Sequence, residues 1–164
     1  MHTRRDFLKN FAILAGGAAL APNIFAQAPK KEDKNALRFA FIGCGNRGRH
    51  NINMFCKNLG QKCVALCDTD IGRVGYAGAS EAYPDAALFR DYREMFEKMA
   101  GKIDAVAIST PDVSHYAAAM CAAKYGIPFY LEKPMCHTIG QIRSLYKTVK
   151  DKKITAQMGN QSHS

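Results

Sequence analysis

The segment Gly43-Cys44-Gly45-Asn46-Arg47-Gly48 constrains this chain more than any other, because it stands between a short apolar run, Leu37 to Ile42, and a stretch of helical periodicity. A buried strand that ends in G-x-G-x-x-G and opens into a helix is the phosphate-binding turn of a dinucleotide fold. Gly43 permits the tight turn, Gly45 lets the backbone approach a pyrophosphate with no Cβ in the way, and Gly48 allows the helix to pack close on the strand. Asn46 and Arg47 complete the expected cofactor loop, where free amides and the positive end of the helix dipole face the phosphates.

Beyond the loop, Ile52, Phe55, Cys56 and Leu59 recur at helical spacing, so one face is expected to pack on a sheet, with Gly60 as the stop. Cys63 to Cys67 reads as a second buried strand ending at Asp68. A weaker helical stretch from Ile71 to Tyr83 precedes a short strand at Leu88-Phe89 and a helix from Tyr92 to Met99. Ala105 to Ser109 is a fourth strand, followed by an Ala-rich helix from Ser114 to Tyr125 that Gly126 closes. Pro128 to Leu131 is a fifth strand. Thr138 then caps a helix whose apolar positions are Ile139, Ile142, Leu145, Tyr146 and Val149, and Ile154 to Met158 is a sixth strand. Such alternation implies right-handed crossovers and an α/β fold: a doubly wound parallel sheet with helices on both faces, the Rossmann arrangement.

Asp68 lies about 20 residues past the last glycine, where a carboxylate would accept hydrogen bonds from an adenosine ribose and repel a 2′-phosphate. NAD is therefore favoured over NADP, with Arg73 as the reservation, since a guanidinium there could accommodate the phosphate. Two further clusters follow strands: Ser109-Thr110-Pro111-Asp112-Val113-Ser114-His115 and Glu132-Lys133-Pro134. Ligands of an open α/β sheet bind at the carboxyl ends of its strands, so both clusters face the crevice of the glycine loop. Lys133 could orient a hydroxyl or carbonyl, or exchange a proton, beside a bound nicotinamide; on spacing alone it could equally be a solvated charge paired with Glu132 or a neighbour.

The N-terminus carries a different signal. Thr3-Arg4-Arg5-Asp6-Phe7-Leu8-Lys9 leads an apolar run from Phe11 to Ala21, and Ala26-Gln27-Ala28 offers small residues for cleavage. The run holds Gly16 and Gly17 and stops at Pro22, too short for a membrane span of about 20 residues. The pattern resembles a twin-arginine export signal over 1–28, so a periplasmic or otherwise exported protein is expected, with 29–36 as a polar linker. The formal charge of +9 is scattered and not interleaved with aromatics, which argues against nucleic acid. Six cysteines show neither a disulfide framework nor metal-ligand spacing, so no metal is expected, and Cys63 and Cys67 lie too far apart along one strand to bond.

The glycine loop, Cys67-Asp68-Thr69-Asp70, Asp91-Tyr92, Thr110-Pro111-Asp112 with His115, and Glu132-Lys133-Pro134 together resemble the glucose-fructose oxidoreductase, inositol dehydrogenase and MocA (Gfo/Idh/MocA) family, from about Leu37 onward. The resemblance implies a pyridine-nucleotide-dependent oxidoreductase of sugars or polyols, with Lys133 beside the reacting carbon, Thr110, Pro111 and His115 lining the nicotinamide end, and Glu132 among the cofactor-binding residues. It also implies a second, sheet-containing substrate domain, which usually supplies a catalytic histidine and often the assembly surface for a homo-oligomer. The Rossmann domain is expected over 37–160, with 161–164 as the start of that second domain, so this chain is expected to bind cofactor better than it turns over substrate and to expose apolar surface where that domain would pack. Two alternatives stay open: a binding module without chemistry of its own, and a glycosidase branch in which bound NAD assists cleavage, whose members typically lack Glu-Lys-Pro.

Overall fold

The computed structural model describes residues 35–70 and 74–160. The proposed leader, most of the linker, Arg73 and the closing residues 161–164 lie outside the described residues. Six strands form one sheet: β1 (Arg38–Ile42), β2 (Lys62–Cys67), β3 (Ala87–Phe89), β4 (Ala105–Ile108), β5 (Phe129–Glu132) and β6 (Ala156–Gly159). All neighbours pair in parallel, in the order β3-β2-β1-β4-β5-β6. The order reverses between β1 and β4, which opens a crevice at their carboxyl ends.

Five helices connect the strands: α1 (Asn46–Ile52), α2 (Val74–Ala82), α3 (Tyr92–Met99), α4 (His115–Lys124) and α5 (Ile139–Lys152). Successive strand residues point to opposite faces, and the core divides accordingly. Phe39, Phe41, Leu66 and the small Ala105 and Ala107 face Ile52, Cys56 and Ala79. Ala40, Ile42, Val106, Ile108 and Leu131 face Met95 and Phe96 of α3, the alanines of α4, and Leu145 of α5. Ala118, Ala119, Ala122 and Ala123 are buried, which lets α4 lie close on the sheet. Thr138 caps α5 reciprocally with Gln141, as its position before the helix predicts.

Two periodicity readings need correction. The first helix is regular only to Ile52 and continues as a wider π-helical turn over Asn53–Asn58, with Leu59 N donating to Met54 O at 3.0 Å. The extra residue in that turn shifts the phase. Phe55 still stacks on Phe39, with centroids 4.7 Å apart, but Leu59 is 59% exposed instead of facing the sheet. In α5, Leu145 is buried and Val149 partly so, while Ile139, Ile142 and Tyr146 form an exposed stripe. Those three are spaced by three and four residues and so share a flank, turned away from the sheet. Among the described residues no helix is long and apolar enough to cross a membrane.

Candidate functional site

The glycine loop sits where the strand order reverses. Gly43 has φ +83°, and a Cβ there would come within 2.7 Å of the Ser109 carbonyl group, so backbone conformation and crowding both demand glycine. The turn is pinned on two sides: Gly43 N donates to Cys67 O at 2.8 Å, and Ser109 N donates to Ile42 O at 2.8 Å. At Gly48 a Cβ would lie 1.8 Å from Gly43 O, so the third glycine lets α1 press on the turn, as its place in the motif predicts. Gly45 is different. It is the N-cap of α1 in an extended conformation, no side chain caps the helix, and a Cβ there would meet nothing within 4 Å. The space in front of these backbone amides is open. Asn46, the first helical residue, has φ +31°, a conformation asparagine tolerates better than most side chains.

Asp68 follows β2 and ties it to the loop. Its Oδ2 accepts from Cys44 N at 2.8 Å and its Oδ1 from Asp70 N at 3.0 Å. Thr69 and Asp70 form a turn, so no helix follows Asp68 directly and it is not an N-cap. An ionised carboxylate has about four lone-pair sites, so both oxygens keep capacity for a further donor such as a sugar hydroxyl.

Two hollows open along this edge. One, of about 550 Å³, is lined by Gly43, Gly45, Asn46, Asp68, Thr110 and Pro111 among others. The second, of about 430 Å³, holds His115, Glu132, Lys133 and Pro134. Arg47, Ser109 and Thr110 line both, so the hollows share a wall. In that wall Thr110 Oγ1 is, among the described residues, the one buried side-chain oxygen or nitrogen without a hydrogen-bond partner. An orphaned hydroxyl is costly to bury, which points to a polar group expected there.

The second hollow rearranges the expected roles. Glu132 is only 5% exposed. Its carboxylate is held by Asn51 Nδ2 at 2.9 Å, Arg47 Nε at 3.3 Å and Tyr130 OH at 3.3 Å, so it joins β5 to α1 and is not Lys133's counter-ion. Asn51 also donates to Ser109 Oγ at 2.9 Å. His115, 1% exposed, has Nδ1 at 2.7 Å from Pro134 O and Nε2 at 2.8 Å from Thr110 O. Both ring nitrogens thus face backbone carbonyls, so His115 bridges the two loops. Lys133 precedes a cis peptide to Pro134, is exposed, and makes no hydrogen bond or ion pair among the described residues. Its amine is available to a ligand in the hollow.

Every predicted site residue within the described residues therefore gathers at one edge. Sequence reasoning missed Asn51, Tyr130 and Arg90. Arg90 lines the larger hollow immediately after β3, and the rule that ligands meet strand carboxyl ends, applied to the third strand, would have found it. Asn51, a polar residue on the inner face of α1 beside Ile52, carried a signal of its own. All six cysteines are free. Burial pushes the Cys44 thiol up, and burial, then the nearby Asp91 and Asp68 carboxylates, raise that of Cys67 to about 12, so neither is a nucleophile at neutral pH. Among the described residues no cluster of three or more His, Cys, Asp or Glu is placed to hold a metal ion.

Residues 37–160 match the oxidoreductase family described by an NAD-binding Rossmann fold, GFO_IDH_MocA. The chain belongs to the Gfo/Idh/MocA family. It is 32% identical over 145 residues to a glycosyl hydrolase family 109 protein of Parabacteroides distasonis, covering 78% of this chain and 31% of that protein. It is 33% identical over 106 residues to D-apiose dehydrogenase of Paraburkholderia graminis, covering 65% of this chain and 27% of that enzyme. Among solved structures, the inositol dehydrogenase homolog of Azotobacter vinelandii complexed with NAD+ superposes with a TM-score of 0.67 at 25% identity, over 76% of this chain and 34% of that one. The chain thus spans about a third of the length of these Gfo/Idh/MocA relatives and carries the family's NAD-binding Rossmann domain.

Proposed function

We propose that this chain is the dinucleotide half of an exported oxidoreductase that moves a hydride between a pyridine nucleotide, NAD in preference to NADP, and a sugar or polyol. The observation that carries the reading is the pairing of an open backbone cradle at Gly45 with the orphaned Thr110 hydroxyl across one continuous crevice. The residues fit the cofactor: Gly45, Asn46 and Arg47 would hold the pyrophosphate, Asp68 the ribose, and Thr110 and Pro111 the wall toward the nicotinamide. When bound, the nicotinamide supplies hydride acceptance and donation. Lys133, with its amine unpaired at the far hollow, would hydrogen-bond the substrate oxygen and take or return its proton. Arg47 and Asn51 hold Glu132, and so keep the strand that carries Lys133 against the glycine helix. The remaining substrate contacts would belong to a second domain.

A fluorescence titration of the purified chain with NADH and NADPH, repeated with Asp68→Ala, tests this; the absence of Trp keeps the background low. Saturable binding that prefers NADH, with the preference lost in the variant, is the expected outcome. No binding of either nucleotide by a folded sample would reduce the site to a turn. Export is tested with a reporter fused behind residues 1–28: changing both Arg4 and Arg5 to Lys should abolish it. The family 109 relative favours a second reading, a glycosidase assisted by bound NAD. Glu132-Lys133-Pro134 speaks for the dehydrogenase, and turnover of a sugar with net NADH formation would separate the two.

A further inference from the structure

We propose that His115 is a positioning residue: it sets the spacing between the Thr110 loop and the Lys133-Pro134 segment, and through that spacing fixes where the Lys133 amine stands. The inference rests on the role proposed for Lys133. Three observations carry it. First, the imidazole is buried, and its two nitrogens lie 2.7 and 2.8 Å from the carbonyl oxygens of Pro134 and Thr110, which belong to different strand-end loops. A rigid ring seated between two carbonyls is a spacer of fixed length: the neutral ring donates to one of them and the imidazolium to both, and with both nitrogens turned to backbone it does not itself hydrogen-bond a ligand.

Second, the ring is mounted on a rigid element. His115 is the first residue of α4, and the next turns of that helix bury Ala118, Ala119 and Ala122 against the sheet. Movement of the ring would require movement of α4. Third, the other flank of Lys133 is equally clamped. Glu132 is held by Asn51 and Arg47 of α1, so the lysine stands between two residues that polar contacts tie to the helices, one to α1 and one to α4. The backbone at Lys133 is thereby tied to the glycine helix on one side and to the Thr110 loop on the other, while its side chain is left to the hollow. Thr110 shares the constraint, because its carbonyl is gripped while its hydroxyl stays unpartnered.

The test uses the full chain and reads Lys133 itself. Amines are labelled with an acylating ester, with and without saturating NADH, and peptide mass spectrometry follows Lys133 against Lys102 and Lys153, which are exposed and stand before β4 and β6 at the opposite edge of the sheet. In the parent chain NADH should slow labelling of Lys133 about tenfold, an estimate from a site occupied by nucleotide for most of the labelling time, and leave the reference lysines unchanged. In His115→Gln, whose flexible side chain lacks the ring's fixed spacing between the two carbonyls, protection of Lys133 should fall to within about twofold of none, a larger loss than that in NADH affinity. In His115→Ala, free imidazole should restore the protection by refilling the space between the carbonyls. Equal protection in the parent and a folded His115→Gln overturns the proposal, as does parallel loss of affinity and protection that imidazole does not reverse. Absence of NADH binding by the parent chain refutes the cofactor reading instead, and hydrogen exchange at residues 133–136 then decides the brace: unchanged exchange in His115→Gln overturns it.

Discussion

Replacing Gly45 by alanine should separate binding from folding. Gly45 is extended, at φ −80° and ψ 166°, and its added Cβ would meet no atom within 4 Å, so the methyl group fits without strain. Two small effects on stability oppose each other. Alanine restricts the unfolded chain and gains about 0.4–1 kcal/mol, while as an N-cap it loses roughly 0.5–1 kcal/mol relative to glycine. The net change should be under about 0.5 kcal/mol, which is a Tm shift of no more than about 3 °C for a domain of this size. Binding should respond differently, because the methyl group stands where a pyrophosphate would meet the backbone. Loss of one or two charge-assisted hydrogen bonds at about 1.5 kcal/mol each corresponds to NADH affinity weakened about 10- to 100-fold. Gly48→Ala is the contrast: its Cβ would lie 1.8 Å from Gly43 O and 2.7 Å from Gly43 C, both backbone atoms, and the fold should lose about 3 kcal/mol. Thermal melts and NADH titration of the two variants side by side provide the check. Parent-like affinity in Gly45→Ala would refute the claim that this backbone is the approach face.

Further tests bear on the scaffold. Gly159→Ala would push a Cβ to 2.4 Å from Tyr130 OH and so dislodge the hydroxyl that donates to Glu132; a loss of about 1–2 kcal/mol is expected, and it should shrink in a Tyr130→Phe background when both are measured by urea unfolding. Asp104 is hydrogen-bonded by the Arg38 side chain and backbone, which together hold its carboxyl at about 2. Because the folded value is depressed, the stabilisation is complete above the ordinary carboxylate range near pH 4 and is lost as pH falls through 2. With solvent screening it amounts to about 1 kcal/mol, and Asp104→Asn should flatten that part of the urea midpoint against pH. Phe96, fully buried and stacked on Tyr125 at 5.7 Å, should cost about 3–5 kcal/mol on truncation to alanine, read as a lowered urea midpoint.

What the sequence disclosed, and what it hid, divides along the range of the interactions involved. The strands were legible because a strand buried on both faces needs a continuous apolar run, as in Phe39 to Ile42 and Ala105 to Ile108, and the glycine loop because a tight turn leaves few residue choices. Both are local constraints. Helix faces were less legible: Leu59 and Ile142 fit an apolar period, yet a widened turn in one case and a second apolar flank in the other turned them to solvent. The site divides in the same way. Gly45, Asp68 and Lys133 could be placed at the strand ends by counting. The roles of Glu132 and His115 could not, because their partners lie 81 and 19 residues away, and only the packed structure brings Asn51 to Glu132 and Pro134 to His115. Both residue types could serve a ligand, but both are buried, and the contacts of Glu132 Oε1 and of the His115 ring tie them to the frame. Of the three, the lysine between them is the side chain left open to a ligand in the second hollow, exposed and unpaired among the described residues.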